Sequence, residues 1–413
     1  MPLLKISGLI NIIKKINVLP TSILPTYSKT LQGTYNSGAP TAYFGSALAY
    51  DGTHVFVGAQ HDTRSSLTEG AAYQYTVGST LTSSTQITDG SYSANGSSFG
   101  TSLDCNSSWL AIGASAVTSN NGAVYVYQYS SGTPPTTPTS ILTPGSDTAG
   151  NFGSSISIYG TTLAIGLPTI GKVKIFDFDG TNWNLTTTLT GSSTGKFGSS
   201  VSLYNEILAV GQPTDVSGVS YVYIYVKSGS WSSSPTQTLS SSIASESFGN
   251  SIKIKDTRMV VGASGSGTYT AGTYGNNKAG RVYYYTYNGT TWALQQILSV
   301  ANNANSTITD SNISTTTIAG IGTSVDIHDS KNIIIAGAPS YSTSTGRVYV
   351  FEQLVNNSWS GAATHSTGKA NGILTDGGTA TGVFFGQRVL FVGDNFIASQ
   401  EKLSAASYIY YYH

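Results

Sequence analysis

The sequence predicts an all-β fold, a seven-bladed β-propeller of four-stranded antiparallel blades. Three observations predict it: a repeated Phe-Gly unit, a composition suited to short strands and turns, and a last unit whose missing strand lies near the other end of the chain. Phe-Gly, or once Ile-Gly, stands at Phe44, Phe99, Phe152, Phe197, Phe248, Ile321 and Phe385. Self-similarity at this spacing is the mark of a repeat architecture.

Each Phe-Gly opens two alternating strands around a short polar turn, as in FGSALAYDGTHVFVGAQ and FGTSLDCNSSWLAIGAS. Alternation interrupted by such a turn is a hairpin signal. A loop follows, then a strand rich in aromatics: GAAYQYTV, GAVYVYQY, GKVKIFDF, GVSYVYIY, GRVYYYTY, GRVYVFEQ and finally SYIYYY. Several units add a Trp-bearing turn and a fourth strand, for example NGTTWALQQILS. Four strands per unit, repeated radially, is a propeller blade. The seventh unit runs out after its third strand, and residues 27–33, YSKTLQG, read like the fourth strands of other units. They are expected to complete the last blade, which would seal an otherwise open sheet edge. The chain thus divides into an N-terminal segment and linker, 1–26, and a propeller, 27–413.

Composition agrees. Charged residues are 9% of the 413, against about 25% in ordinary globular domains. In their place stand residues such as 47 Gly and 27 Tyr, which supply turns and strands. The physical reading of the repeat puts Gly and Ala where blades pinch together near the axis. Each repeat Phe is expected to wedge between neighbouring blades.

The units resemble FG-GAP repeats, the propeller repeat of integrin α-chains and many bacterial and viral surface proteins, in the short variety without an acidic loop. The Gly-Ala-Pro half survives as Gly58-Ala59-Gln60, Gly113-Ala114-Ser115, Gly166-Leu167-Pro168, Gly211-Gln212-Pro213, Gly262-Ala263-Ser264 and Gly337-Ala338-Pro339. The resemblance implies a propeller over about residues 27–413. In that family an Asp-rich first hairpin binds calcium. Here each first turn, such as Asn106-Ser107-Ser108 or Lys255-Asp256-Thr257, offers at most one carboxylate. Calcium wants six to eight oxygens, so the family's metal sites are not carried over.

Other chemistry is sparse. Lys plus Arg equals Asp plus Glu at 19 each, so no basic field draws in nucleic acid. Cys105 is the only cysteine, which excludes an internal disulfide and reads as a small buried or hairpin residue. The five histidines show no paired ligand spacing, and His54 and His328 fall in or beside first hairpins with ordinary turn or strand roles. There is no nucleophile elbow, phosphate loop or dinucleotide fingerprint. The expectation is no enzyme, no cofactor and no metal. No apolar run approaches the ~20 residues of a membrane span.

Two features point to function. Leu3, Ile6, Leu9, Ile10, Ile13 and Ile16 recur at helical spacing within residues 1–19, and Pro20 and Pro25 separate them from the propeller. This stripe belongs to no blade, and reads as a docking segment for a partner protein, a membrane surface or the propeller itself. The segment makes a poor secretory signal. Second, the longest loops, 264–280, 299–320 and 365–384, all come from the last three blades and emerge on one face. Tyr269, Tyr274, Asn276, Asn277 and Tyr341 offer aromatic and amide groups there, suited to a glycan or protein epitope. The expected role is a non-catalytic propeller on a virion or similar assembly. It would be anchored through residues 1–20, with a receptor, glycan or neighbouring subunit at the long-loop face. The alternative is a cell-surface or secreted lectin-like adhesin, with a propeller enzyme behind both.

Overall fold

The computed structural model describes residues 27–32, 43–64, 67–89, 96–129, 136–214, 218–241, 243, 245–265, 279–301, 308–309, 319–341, 345–353, 359–360, 364–365, 369–370, 373–374, 384–401 and 407–412. It is nearly all β, with seven antiparallel sheets arranged as a seven-bladed propeller. The inner strands are Phe44–Tyr50, Phe99–Cys105, Ile156–Tyr159, Ser200–Tyr204, Phe248–Lys255, Ser324–Ile327 and Phe385–Val392. In each blade the second strand pairs the inner one, and the third pairs the second. The outer strand of blade 6 is made of two short pieces, Trp359–Ser360 and Ile373–Leu374, both paired to Arg347–Gln353.

Closure follows the expected route. Tyr27–Gln32 runs antiparallel to Tyr408–Tyr412, with Thr30 opposite Tyr410 and Leu31 opposite Ile409. The last blade is therefore built from both ends of the described chain, and no blade is left a strand short.

Seven apolar clusters hold the ring, one at each seam between blades, and each contains one repeat Phe or its Ile counterpart. Phe99, for example, packs among Ala72 and Ile87 of blade 1 and Leu110 and Tyr125 of blade 2. At the closing seam Phe44 and Val57 meet Ile397 and Tyr411. All seven repeat side chains are buried. Burying each contributes on the order of 1.5–3 kcal/mol. Ring edges add to this: Phe99 meets Tyr125 at 5.3 Å, Phe248 meets Tyr283 at 5.0 Å and Phe385 meets Tyr410 at 5.2 Å, all edge-on.

The two glycines of the repeat have one shared explanation. In Phe-Gly the glycine takes a positive φ, from 85° at Gly386 to 95° at Gly45, which side-chain-bearing residues rarely adopt. In four blades this places a bulge at the start of the inner strand, as between Phe99 and Ser102. The turned-out carbonyl of that glycine then lands on the second strand of the preceding blade. It lies directly over Gly58, Gly113, Gly166, Gly211, Gly262 or Gly337. A Cβ at any of these six would fall well inside the 3.0 Å that real Cβ atoms respect, against backbone. At five seams a serine of the preceding blade donates its hydroxyl to the same carbonyl, from Ser46 to Gly100 (3.0 Å), Ser102 to Gly153 (2.6 Å), Ser155 to Gly198 (2.7 Å), Ser200 to Gly249 (2.7 Å) and Ser251 to Gly322 (2.8 Å). The repeat is a latch: one glycine presents a carbonyl, another makes room, and a serine holds it.

Candidate functional site

The inner strands enclose an axial channel with a cavity of about 830 Å³. That is within the ~300–1,000 Å³ of small-molecule sites. All inner strands run the same way along it, so equivalent residues form rings. The ring near the strand starts is uncharged and polar in six blades: Thr101, Ser154, Ser199, Asn250, Thr323 and Gln387 line the channel.

Deeper in lies a ring of mixed chemistry: Ala49, Asp104, Ser157, Ser202, Lys253, Asp326 and Leu390. Its polar members stitch one blade to the next. Ile158 donates its amide to Asp104 Oδ2 (2.8 Å), Leu203 to Ser157 Oγ (2.9 Å), Ile254 to Ser202 Oγ (2.9 Å) and Phe391 to Asp326 Oδ2 (2.7 Å). Ala49 and Lys253 have no acceptor to offer their next neighbour. There the aspartate of the following blade does the work itself, Asp104 Oδ1 accepting from Cys105 N (3.0 Å) and Asp326 Oδ1 from Ile327 N (2.9 Å). Both aspartates of this ring are thus engaged by strand amides.

Lys253 is not. Its ammonium makes no hydrogen bond or ion pair among the described residues. Enclosure in the channel alone would lower its pKa, but the nearby charges of Asp326 and Asp104 outweigh this and hold it above the ordinary value. Burial pushes the Asp326 carboxyl up, against the pull of Lys253 and the two amides. Burial, and then the charge of Asp104, also drive the Cys105 thiol far above its usual range, so this cysteine is a packed residue without thiolate character.

At the hairpin end of the channel the mouth is aromatic and ionic. Tyr159 and Tyr204 lie with ring centroids 4.9 Å apart, and Tyr50 lines the same opening. The turns are tied to one another around this face. Tyr129 donates to Asp51 (3.1 Å), Asn106 to the Gly160 carbonyl (3.0 Å), Tyr204 to Asp256 and Lys255 to Asp329. His328 Nε2 and Lys331 both meet Asp394, at 3.0 and 2.6 Å. His328 Nδ1 accepts the amides of Ser330 and Lys331, which leaves the proton on Nε2. The Asp256 carboxylate pushes the Tyr204 hydroxyl up to about 12. His54 sits beside Asp51 at 3.1 Å. Both histidines have the turn roles expected of them.

The sequence-derived candidates fare differently. Tyr269, Tyr274, Asn276 and Asn277 lie outside the described residues, as do Leu3, Ile6, Leu9, Ile10, Ile13 and Ile16. Tyr341 needs correcting. Expected to face outward on a loop, it is 5% exposed, belongs to the seam between blades 5 and 6, and carries the Arg347 guanidinium 3.8 Å from its ring centroid. That cation–π contact and the apolar seam account for it without a ligand. The channel rings went unread in the sequence, although a signal exists. Aligning the seven Phe-Gly units puts Asp104, Lys253 and Asp326 in one column.

No protein-family model matches the chain, and no curated protein matches it significantly.

Proposed function

We propose that the chain is a non-catalytic interaction propeller, a surface component of a virion or similar large assembly, held there through its N-terminal segment. The observation that carries this reading is the position of the closing strand. Tyr27–Gln32 is the outer strand of blade 7, so the chain upstream leaves from the rim of a disc whose seven blades are complete without it. On this reading the apolar stripe Leu3, Ile6, Leu9, Ile10, Ile13 and Ile16 serves a partner of the assembly. The short FG-GAP-like repeat, common on bacterial and viral surfaces, supports the same setting. So does the channel chemistry, where Asp104 and Asp326 are occupied by backbone amides and Cys105 stays protonated. The test replaces the chain by a version lacking residues 1–20 in its native source. The shortened protein should keep its β-sheet circular dichroism and disappear from purified particles. Incorporation at the full-length level sinks the anchoring role.

A further inference from the structure

We propose that the hairpin-side mouth of the axial channel binds the end of a neutral saccharide, stacked on Tyr159 and hydrogen-bonded by Lys253 deeper in. This proposal concerns the hairpin side of the channel and goes beyond the role proposed above.

Three observations carry it. First, among the described residues only three large apolar or aromatic side chains are exposed, and Tyr159, at 39%, is the one that stands at the channel opening. Its ring leans on Tyr204 at 4.9 Å, and the Tyr204 hydroxyl is pinned by Asp256. An aromatic face held in place at a cavity mouth suits the C–H face of a sugar ring, since tyrosine combines an apolar body with a polar tip.

Second, hydrogen-bond donors stand unused inside. Among the described residues the three N–H groups of Lys253 have no partner, and Ser202 Oγ accepts from Ile254 while its own proton has no acceptor. The carboxylates of Asp104 and Asp326 are already taken by amides. Lys253 lies two residues earlier in its strand than the position equivalent to Tyr159, which is Lys255, and so about 6–7 Å deeper from the hairpin mouth at the rise of a β-strand.

Third, charge selects among acceptors. The ring that holds Lys253 also holds Asp104 and Asp326, so at that depth an anionic ligand would face two carboxylates across one ammonium. A neutral oxygen meets the ammonium without that repulsion. An apolar ligand would strip water from the serines and threonines of the wall without replacing its hydrogen bonds. A neutral polyol ending in a ring fits both the wall and the mouth.

The test is a glycan array carrying neutral and acidic sugars, probed with the labelled full-length protein, and titration of the best hit into Tyr159→Ala and Lys253→Met. The expected result is retention on neutral glycans, weakened at least tenfold by each substitution. Both variants should keep the wild-type circular dichroism spectrum. If Lys253→Met does not fold, Tyr159→Ala decides alone. No retention on any neutral glycan, a preference for acidic ones, or a hit that a folded variant leaves unchanged overturns the proposal. None of these outcomes bears on residues 1–20.

Discussion

Gly113 has no room for a methyl group. Its α-carbon faces the carbonyl of Gly153, which is held by Ser102 and belongs to the next blade. Gly113→Ala should therefore destabilise the protein by about 3 kcal/mol, the upper end of overpacking costs. Gly160→Ala is the control. That turn glycine has φ 57° and nothing within 4 Å, so only the left-handed backbone is strained, at about 1–2 kcal/mol. Denaturant unfolding compares the two, and equal losses would remove the seam explanation. At this scale the sequence was half readable. Six glycines at the same place in the repeat, four of them followed by alanine, announced a repeated need for space, but not for what. The reason is a carbonyl contributed by the next blade, as Gly198 is for Gly166 and Gly322 for Gly262, and no local pattern encodes that. Tyr341 misled for a related reason: a tyrosine in a polar stretch looks exposed until Arg347 is known to cover it.

Elements were more legible than seams. The first two strands of every blade alternate around a turn, and the third follows a glycine in six blades and is rich in aromatics, so local pattern located them. The outer strands were harder, and blade 6 shows why, since its outer strand is two separated dipeptides with no period to detect. Blade 3 joins its neighbour with charge. Asp147, on the segment leading into it, meets Lys172 and, at 2.8 Å, Lys174. Hydrogen bonds from Lys172 and then Lys174 hold its carboxyl below the ordinary 3.8. The stabilisation this gives is complete above that unfolded value and is lost as pH falls through the lower, folded one. With solvent screening it amounts to about 1 kcal/mol. Asp147→Asn should accordingly lower the thermal midpoint at pH 7. The gap to wild type should close below about pH 3.8. A gap that stays constant down to strong acid would mean the pair contributes nothing through its charge.

The whole molecule is a ring, and a ring is only as sound as its joint. Removing residues 1–26 should leave the thermal midpoint within a degree or two, because no described blade uses them. Removing 1–33 takes away the outer strand of blade 7 and exposes the edge of Tyr408–Tyr412. That version should melt well over 5 °C lower or aggregate through the open edge. Scanning calorimetry of the pair, with light scattering, checks both expectations, and identical melting would deny the joint any part in stability. Closure was legible because the last unit visibly lacked a strand that the first residues resembled. The axial channel was not, because its rings assemble one residue from each of seven distant segments.

The joint also fixes how the protein responds to pulling. Tyr27 lies opposite Tyr412, so the upstream chain and the C-terminal end leave the sheet at the same corner. A load that tugs the N-terminal tether outward opens that ribbon one hydrogen bond at a time, from the corner inward, with no set of bonds sheared together. If the tether anchors the disc to a particle, this strand is the mechanical fuse of the attachment, peeling at low force before any blade is torn from its neighbour.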